Sequence, residues 1–155
     1  MILGLLSVSS LGFSEFVEAD RATRKIRNLY PDLFLVAKLS ICHPYEFAQE
    51  LERIGVNALH ALNTIPYNIV FPLQRSPLDG VGGGGISGGP ACELAYKYNQ
   101  ALRPRVGLFL IMGCGVRGKD DVQRYFDLGA DAVSLCTLAL RQPREAARVV
   151  IAYNS

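Results

Sequence analysis

Short apolar runs alternate along this chain with longer segments of helical periodicity, and this alternation limits what the chain can fold into. The apolar runs predict strands at residues 2–9, 33–39, 56–62, 106–112 and 131–135. The segments between and after them predict helices at residues 14–29, 44–55, 91–102, 119–128 and 143–153. Neighbouring strands that are joined by helical crossovers run parallel, with right-handed connections. We therefore expect an α/β fold built on a parallel sheet.

The composition agrees with strands that are buried on both faces. Half of the 155 residues are hydrophobic and 19% are charged, compared with ~25% charged residues in a typical soluble domain. A chain of this length is expected to form a single domain, residues 1–155, with the glycine-rich loop 79–89 inside it. The net charge of +2, without a basic block that contains aromatic residues, predicts no nucleic-acid partner.

The cysteine pattern and the first residues bear on metals and membranes. The four cysteines form no C-x-x-C pair and have no spacing to histidine that is typical of zinc sites, so we expect no metal site. Reduced thiols and a cytoplasmic location are expected instead. Residues 1–6 are apolar, but they lack a basic flank and are too short to cross a bilayer, so no membrane-spanning segment is predicted.

A glycine-rich stretch, residues 79–90, lies within a segment, 65–89, that is far longer than a usual connection between a strand and a helix and is expected to be irregular. Glycine allows positive φ angles and a close approach of the backbone to a ligand. The stretch ends at Pro90, a residue suited to the first turn of a helix, where free N–H groups attract anions. A flexible linker is the alternative, but the apolar Ile86 inside the run favours an ordered turn that contacts a ligand.

Polar or glycine residues follow the predicted strands at their carboxyl ends, where parallel α/β folds collect functional groups. These positions are Ser10, Lys38, Asn63, Thr64, the turn 113–115, Cys136 and Thr137. Because a bare ammonium group is costly to bury, Lys38 either points into a cleft toward an anionic or electron-rich ligand or reaches solvent from the strand end. Asn63 is able to bind an amide or a carboxylate, with a strand-end cap as the alternative.

The turn 113–115 and the pair Cys136–Thr137 follow consecutive predicted strands. This arrangement matches the phosphate site that barrels form from the loops after their last two strands. A turn that simply ends a strand is the alternative. The two histidines, His43 and His60, are expected to be structural or surface residues.

Taken in order, these residues resemble the C-terminal half of the dihydroorotate dehydrogenase family, which consists of FMN-containing TIM barrels and includes related dihydropyrimidine dehydrogenase domains. The resemblance covers about residues 33–140. The matching pieces are Lys-Leu-Ser at 38–40, Asn-Thr at 63–64, Gly-Gly-Ile-Ser-Gly at 84–88, Gly-Cys-Gly-Val at 113–116, Gly-Ala-Asp-Ala-Val at 129–133 and Cys-Thr-Leu-Ala-Leu at 136–140.

The resemblance implies FMN as the cofactor and dihydroorotate, or a related dihydropyrimidine, as the substrate in pyrimidine biosynthesis. It implies that Lys38 lies near the N1–C2 edge of the flavin and holds the negative charge of the reduced ring. Asn63 and Thr64 would bind the substrate, and Leu62 and Gly88 would contact the cofactor. The phosphate would be held by backbone N–H groups of Cys114, Gly115, Cys136 and Thr137.

The sequence departs from the family pattern at the phosphate loops and at the catalytic loop. Cys114 and Cys136 stand where the family usually has glycine, which places side chains beside the phosphate. The family's catalytic loop has an Asn-x-Ser-Ser/Cys-Pro-Asn pattern, and residues 7–12 resemble it faintly. Ser10 would take the position of the residue that accepts the substrate proton.

A complete TIM barrel needs ~250 residues, so the resemblance implies roughly a C-terminal half barrel. A half barrel has two open strand edges, so we expect a homo-oligomer or a complementary half-barrel chain. Three functions follow as hypotheses: an FMN oxidoreductase of dihydroorotate dehydrogenase type, an FMN- or phosphate-binding module without turnover, and a half barrel that binds another phosphate ester.

Overall fold

A parallel five-stranded sheet forms the centre of the fold in the computed structural model, which describes residues 4–7, 13–81 and 83–154. Its strands are β1 (Gly4–Ser7), β2 (Leu35–Leu39), β3 (Ala58–Ala61), β6 (Phe109–Gly113) and β7 (Ala132–Ser134). They lie side by side in that order, and every neighbouring pair is parallel. The expected α/β fold is confirmed. Within the described residues the sheet is open, with β1 and β7 as its edges.

Helices follow the strands in the predicted alternation. They are α1 (Phe13–Leu29), α2 (Tyr45–Ile54), α3 (Tyr67–Val70), α4 (Cys92–Leu102), α5 (Lys119–Asp127), α6 (Thr137–Arg141) and α7 (Pro143–Asn154). Local sequence explains the ends of α2: Pro44 precedes its first turn, and Gly55 ends it with a φ of 92°. The short helix α6 was not predicted, because five residues give no readable periodicity. No helix in the described ranges has the length and apolar character to cross a bilayer.

The hydrophobic core lies between one face of the sheet and the helices. Successive residues of a strand point to opposite faces, and the strand register places one set of aliphatic side chains on the helix-covered face. This set is almost completely buried and consists of Ala37, Leu39, Leu59, Ala61, Leu110 and Met112. Each large aliphatic side chain contributes ~1.5–3 kcal/mol when it is fully buried. This burial holds the sheet against α2, α4 and α5.

The opposite face of the sheet is polar near the carboxyl ends of the strands. Lys38, His60, Ile111 and Ser134 share this face and are only half-buried. Polar side chains therefore gather at the carboxyl end of the face opposite the hydrophobic core.

The glycine-rich stretch is more regular than the sequence predicts. Its residues Gly85–Ile86 form strand β5, which pairs antiparallel with strand β4 (Ile65–Pro66), directly after β3. A Cβ at Gly85 would overlap the side chain of Thr64, so only glycine allows this pairing. The prediction that residues 65–89 are irregular is therefore wrong for the ribbon and for α3. The error arose because two-residue strands have no detectable alternation.

Candidate ligand-binding site

A cavity of about 250 Å³ opens at the carboxyl ends of β2, β3, β6 and β7. Its walls include most of the residues predicted from the sequence: Lys38, Leu62, Asn63, Thr64, Cys114, Gly115, Cys136 and Thr137. A larger open hollow of about 620 Å³ lies between the β4–β5 ribbon and residues 74–79, and it reaches the strand ends only at Thr64. The smaller cavity is the better candidate, because parallel α/β folds place ligands at the strand ends.

Two predicted residues lie outside this list. Gly88 is buried beside the cavity with a φ of 78°, and a Cβ there would lie 3.0 Å from Cγ2 of Thr137. The side chain of Ser87, the preceding residue, hydrogen-bonds the Thr137 hydroxyl at 2.8 Å. Ser10 falls outside the described residues.

Lys38 carries the positive charge of the cavity. It is half-buried near the end of β2, and its neighbour in the register is His60 on β3. The ammonium group makes no hydrogen bond or ion pair with any other residue that the structure describes. A cation without a carboxylate partner at a half-buried position is suited to an anionic or electron-rich ligand.

His60 and Ser134 form a polar pair in the floor of the cavity. Nε2 of His60 and Oγ of Ser134 are 2.8 Å apart, although β6 lies between their two strands. Burial, and then the positive charge of Lys38, lower the pKa of His60 to about 4, so the imidazole is neutral at pH 7. His60 therefore lies in the cavity, where the sequence predicted only a structural or surface residue.

Asn63 and Thr64 stand where the chain leaves β3. The backbone N–H of Asn63 donates to the Leu39 carbonyl at 2.8 Å, which ties the end of β3 to the end of β2. Its Oδ1 accepts from the backbone N–H of Thr64 at 2.9 Å. The Asn63 amide group thus caps its own turn with one atom, and its Nδ2 has no acceptor among the described residues. The two interpretations of this asparagine, cap and ligand-binding group, are compatible.

The turn after β6 has an unusual backbone. Cys114 and Gly115 both have positive φ angles, 73° and 89°. Such an angle is uncommon for a residue with a side chain. The hydroxyl of the buried Tyr125 donates to the carbonyls of Gly113 and Cys114, both at 3.1 Å, and so holds the turn from below. Burial raises the pKa of the Cys114 thiol to about 11, so this thiol is neutral at pH 7.

The two loops that the sequence assigned to phosphate leave backbone donors unused. In the described residues, the backbone N–H groups of Cys114, Gly115, Cys136 and Thr137 donate to no acceptor. Successive free N–H groups in a turn with positive φ angles form a concave anion-binding nest. All four residues line the same cavity.

The charged residue nearest the turn in sequence is already paired. The backbone N–H and Nε of Arg117 donate to Oδ2 of Asp121, both at 2.9 Å. This pairing lowers the pKa of Asp121, which is buried and also accepts a long hydrogen bond from the Cys92 thiol. Arg117 therefore supports the turn and leaves Lys38 as the cation that lines the cavity.

Sequence reasoning missed His60 and Ser134, which line the cavity together with Ser87, Val116 and Leu135. One signal was available: His60 and Ser134 are polar residues inside apolar strands, on the same face as Lys38. Among the described residues, no group of three or more His, Cys, Asp or Glu side chains is arranged to hold a metal ion.

Comparison with known proteins gives a consistent set of relatives, although no family model matches the sequence. The catalytic subunit of dihydroorotate dehydrogenase B (NAD(+)) from Halalkalibacterium halodurans is 31% identical over 98 residues, 63% of this chain and 32% of that protein. The protein of the same name from Listeria monocytogenes is 28% identical over 127 residues, 81% of this chain and 41% of the relative.

Among solved structures, a ligand-free DHODH from Eimeria tenella has a TM-score of 0.62 at 20% identity, over 88% of this chain and 42% of that one. At this identity the structural match speaks for the fold alone. The chain thus spans about two fifths or less of the length of the relatives it matches. Together, the sequence and structural matches support an assignment to the dihydroorotate dehydrogenase family, over part of that family's length.

Proposed function

We propose that this chain carries the flavin- and pyrimidine-binding part of an oxidoreductase that converts dihydroorotate, or a related dihydropyrimidine, to orotate in pyrimidine biosynthesis. The observation that supports this most directly is the cavity itself. It combines a cation without a carboxylate partner, Lys38, with a nest of free backbone N–H groups at two neighbouring strand ends. The curated relatives named above supply the reaction class.

The residues present fit FMN. Backbone donors at Cys114, Gly115, Cys136 and Thr137 suit a phosphate. Gly88 brings the backbone to the cavity edge at a φ angle that favours glycine. The cavity volume of about 250 Å³ is below the ~300–1,000 Å³ of sites that enclose a drug-sized ligand. A ligand as large as FMN would therefore extend beyond this cavity.

When bound, FMN supplies the acceptor for the hydride that leaves C6 of dihydroorotate. Lys38 stabilises negative charge on the electron-rich edge of the ring, because its ammonium is half-buried and no described carboxylate neutralises it. Asn63 orients the substrate with its Nδ2, since Oδ1 is held by the backbone of Thr64. Proton removal from C5 requires a base, and the resemblance points to Ser10 for that role.

The second candidate is an FMN- or phosphate-binding half barrel without turnover, which needs a partner chain. The observation that favours it is the open sheet: in the described residues, β1 and β7 each lack a neighbour on one side. Exposed parallel edges are unusual in stable α/β folds. A second chain that covered them would also complete the walls of the cavity.

A visible absorption spectrum separates these possibilities. The chain is purified, incubated with FMN, desalted and examined for the flavin bands, and dihydroorotate is then added without oxygen. Retained colour that bleaches supports the oxidoreductase, and retained colour that persists supports the binding module. If colourless protein takes up no FMN, both proposals are rejected. Lys38→Met should retain less FMN in the same experiment, and Lys97→Met, a change at an exposed lysine on α4, is the charge-matched control.

A further inference from the structure

The hydrogen bond between His60 and Ser134 spans a strand, and the proposed flavin site does not use it. Gly113, the residue of β6 that pairs with Ser134, has no side chain, and the β6 residue beside His60 is Ile111. A Cβ at Gly113 would overlap the hydroxyl of Ser134. Residues of β3, β6 and β7 together allow Nε2 of His60 and Oγ of Ser134 to lie 2.8 Å apart inside the cavity.

The position of this pair within the cavity is specific. On one side His60 is the register neighbour of Lys38, the cation of the cavity. On the other side, Ser134 lies two residues before Cys136, whose backbone N–H is one of the free donors. The pair thus lies between the group suited to an electron-rich ring and the nest suited to a phosphate.

We propose that the His60–Ser134 pair is the subsite for the hydroxyl groups of the polyol chain that joins the phosphate to the ring of the ligand. This inference rests on the proposed function. A neutral imidazole beside Lys38 offers no second positive charge, so the pair suits uncharged polar groups and not a second anion. His60 occupies one hydrogen-bonding position of the Ser134 hydroxyl and fixes its rotation, which leaves the remaining positions directed at a ligand hydroxyl.

A purely structural role predicts a different pattern of binding. If the pair only stabilised the sheet, its loss would weaken every flavin equally or lower stability without changing relative affinities. If it binds the polyol chain, its loss weakens only ligands that carry that chain. Three probes make the distinction: FMN, riboflavin, which lacks the phosphate, and lumiflavin, which lacks both phosphate and polyol chain.

The test measures dissociation constants for the three flavins with the unmodified chain, Ser134→Ala, His60→Leu and the double variant. Loss of one neutral hydrogen bond corresponds to about 3- to 10-fold weaker binding. We expect this factor for both FMN and riboflavin with Ser134→Ala, and no change for lumiflavin. The double variant should lose no more than the larger single effect, because the two residues act as one unit. Ser76→Ala, at an exposed turn in which Ser76 accepts from the N–H of Leu78, is the matched control.

Equal weakening of all three flavins, or unchanged binding of FMN and riboflavin, would overturn the subsite. If Ser134→Ala does not fold, which a thermal melt detects, His60→Leu alone carries the same comparison. Unmodified protein that binds FMN but is not reduced by dihydroorotate would contradict the proposed reaction and leave the subsite intact. Unmodified protein that binds none of the flavins would overturn both.

Discussion

Gly115 lies directly against the backbone of Cys92, with no room for a side chain between them. A Cβ added at Gly115 would lie 2.6 Å from the Cys92 nitrogen, and the φ of Gly115 is 89°. This contact joins the turn after β6 to the first residue of α4. The turn that carries two of the free N–H groups is therefore positioned by a helix from a different part of the chain.

Gly115→Ala should be strongly destabilising. The added methyl group meets backbone atoms that cannot rotate away, at a φ angle that disfavours alanine, and the two effects together cost ~2–4 kcal/mol. Urea denaturation gives the free energy of unfolding. The control is Gly118→Ala, three residues away, where the backbone is extended and a Cβ meets no atom within 4 Å. A Gly115→Ala protein as stable as the control would refute this account of the turn.

Tyr125→Phe should weaken both the fold and anion binding. The hydroxyl of Tyr125 donates to two carbonyls of the turn, and its loss leaves them without this donor at a cost of ~1–2 kcal/mol. Without this donor the turn is held less firmly, so its N–H groups are less well aligned with a bound phosphate. Each ~1.4 kcal/mol of binding free energy that is lost in this way weakens FMN binding about tenfold.

Tyr153→Phe is the matched control for Tyr125→Phe. The Tyr153 hydroxyl lies 3.0 Å from Oε1 of Gln123 and 3.3 Å from the Lys119 carbonyl, and neither of these residues lines the cavity. Fluorescence titration with FMN and a thermal melt are run on both proteins. Equal FMN affinity of the two variants would show that Tyr125 does not position the turn.

Lys38→Met should lower both the affinity for FMN and the rate of flavin reduction. Methionine keeps the length of the stem but removes the charge, and a charge-assisted hydrogen bond contributes ~1.5–3 kcal/mol, or roughly 10- to 100-fold. Stopped-flow mixing with dihydroorotate measures the rate, and FMN titration measures the affinity. A loss of affinity without a loss of rate would restrict Lys38 to binding, and no loss of either would remove it from the site.

Acid should destabilise the fold through the two histidines. Burial lowers the pKa of His43 and of His60 to about 4, and Lys38 adds to the effect at His60. Between about pH 6.5 and about pH 4 the unfolded chain binds more protons than the folded chain, so the free energy of unfolding falls as the pH falls. His60 is half-buried, so solvent screening reduces its contribution to on the order of 1 kcal/mol. His43 is almost completely buried and should contribute at least as much.

Urea denaturation between about pH 7 and about pH 4.5 measures this slope. The slope should be shallower in His60→Gln and in His43→Gln than in the unmodified protein, and Tyr153→Phe should leave it unchanged. Identical slopes in all four proteins would assign the acid sensitivity to the carboxylates.

The chain on its own should associate. Strands β1 and β7 have unpaired edges within the described residues, and exposed parallel edges attract further strands. Light scattering after size exclusion, over a range of concentrations, should report a mass above that of one chain of 16.9 kDa. A stable monomer at every concentration would contradict the prediction that a homo-oligomer or a complementary half barrel is needed.

The sequence alone determined the order of the elements and the residues at the strand ends. Strands and helices are recognised from the spacing of apolar residues along the chain, and this spacing is visible without knowing the fold. The strands came out shorter than predicted, as at residues 56–62, where only Ala58–Ala61 pair, because apolar residues continue past the last ladder hydrogen bond. Since parallel strands end at the same edge, a list of strand-end residues was already close to a list of cavity residues.

Only the tertiary structure decided which polar side chains meet. The bond between His60 and Ser134 joins residues 74 positions apart and requires the gap at Gly113, which no local pattern encodes. The β4–β5 ribbon likewise depends on Thr64 and Gly85 packing together. Long-range contacts of this kind arise from register and from close packing between elements, and both are properties of the assembled sheet.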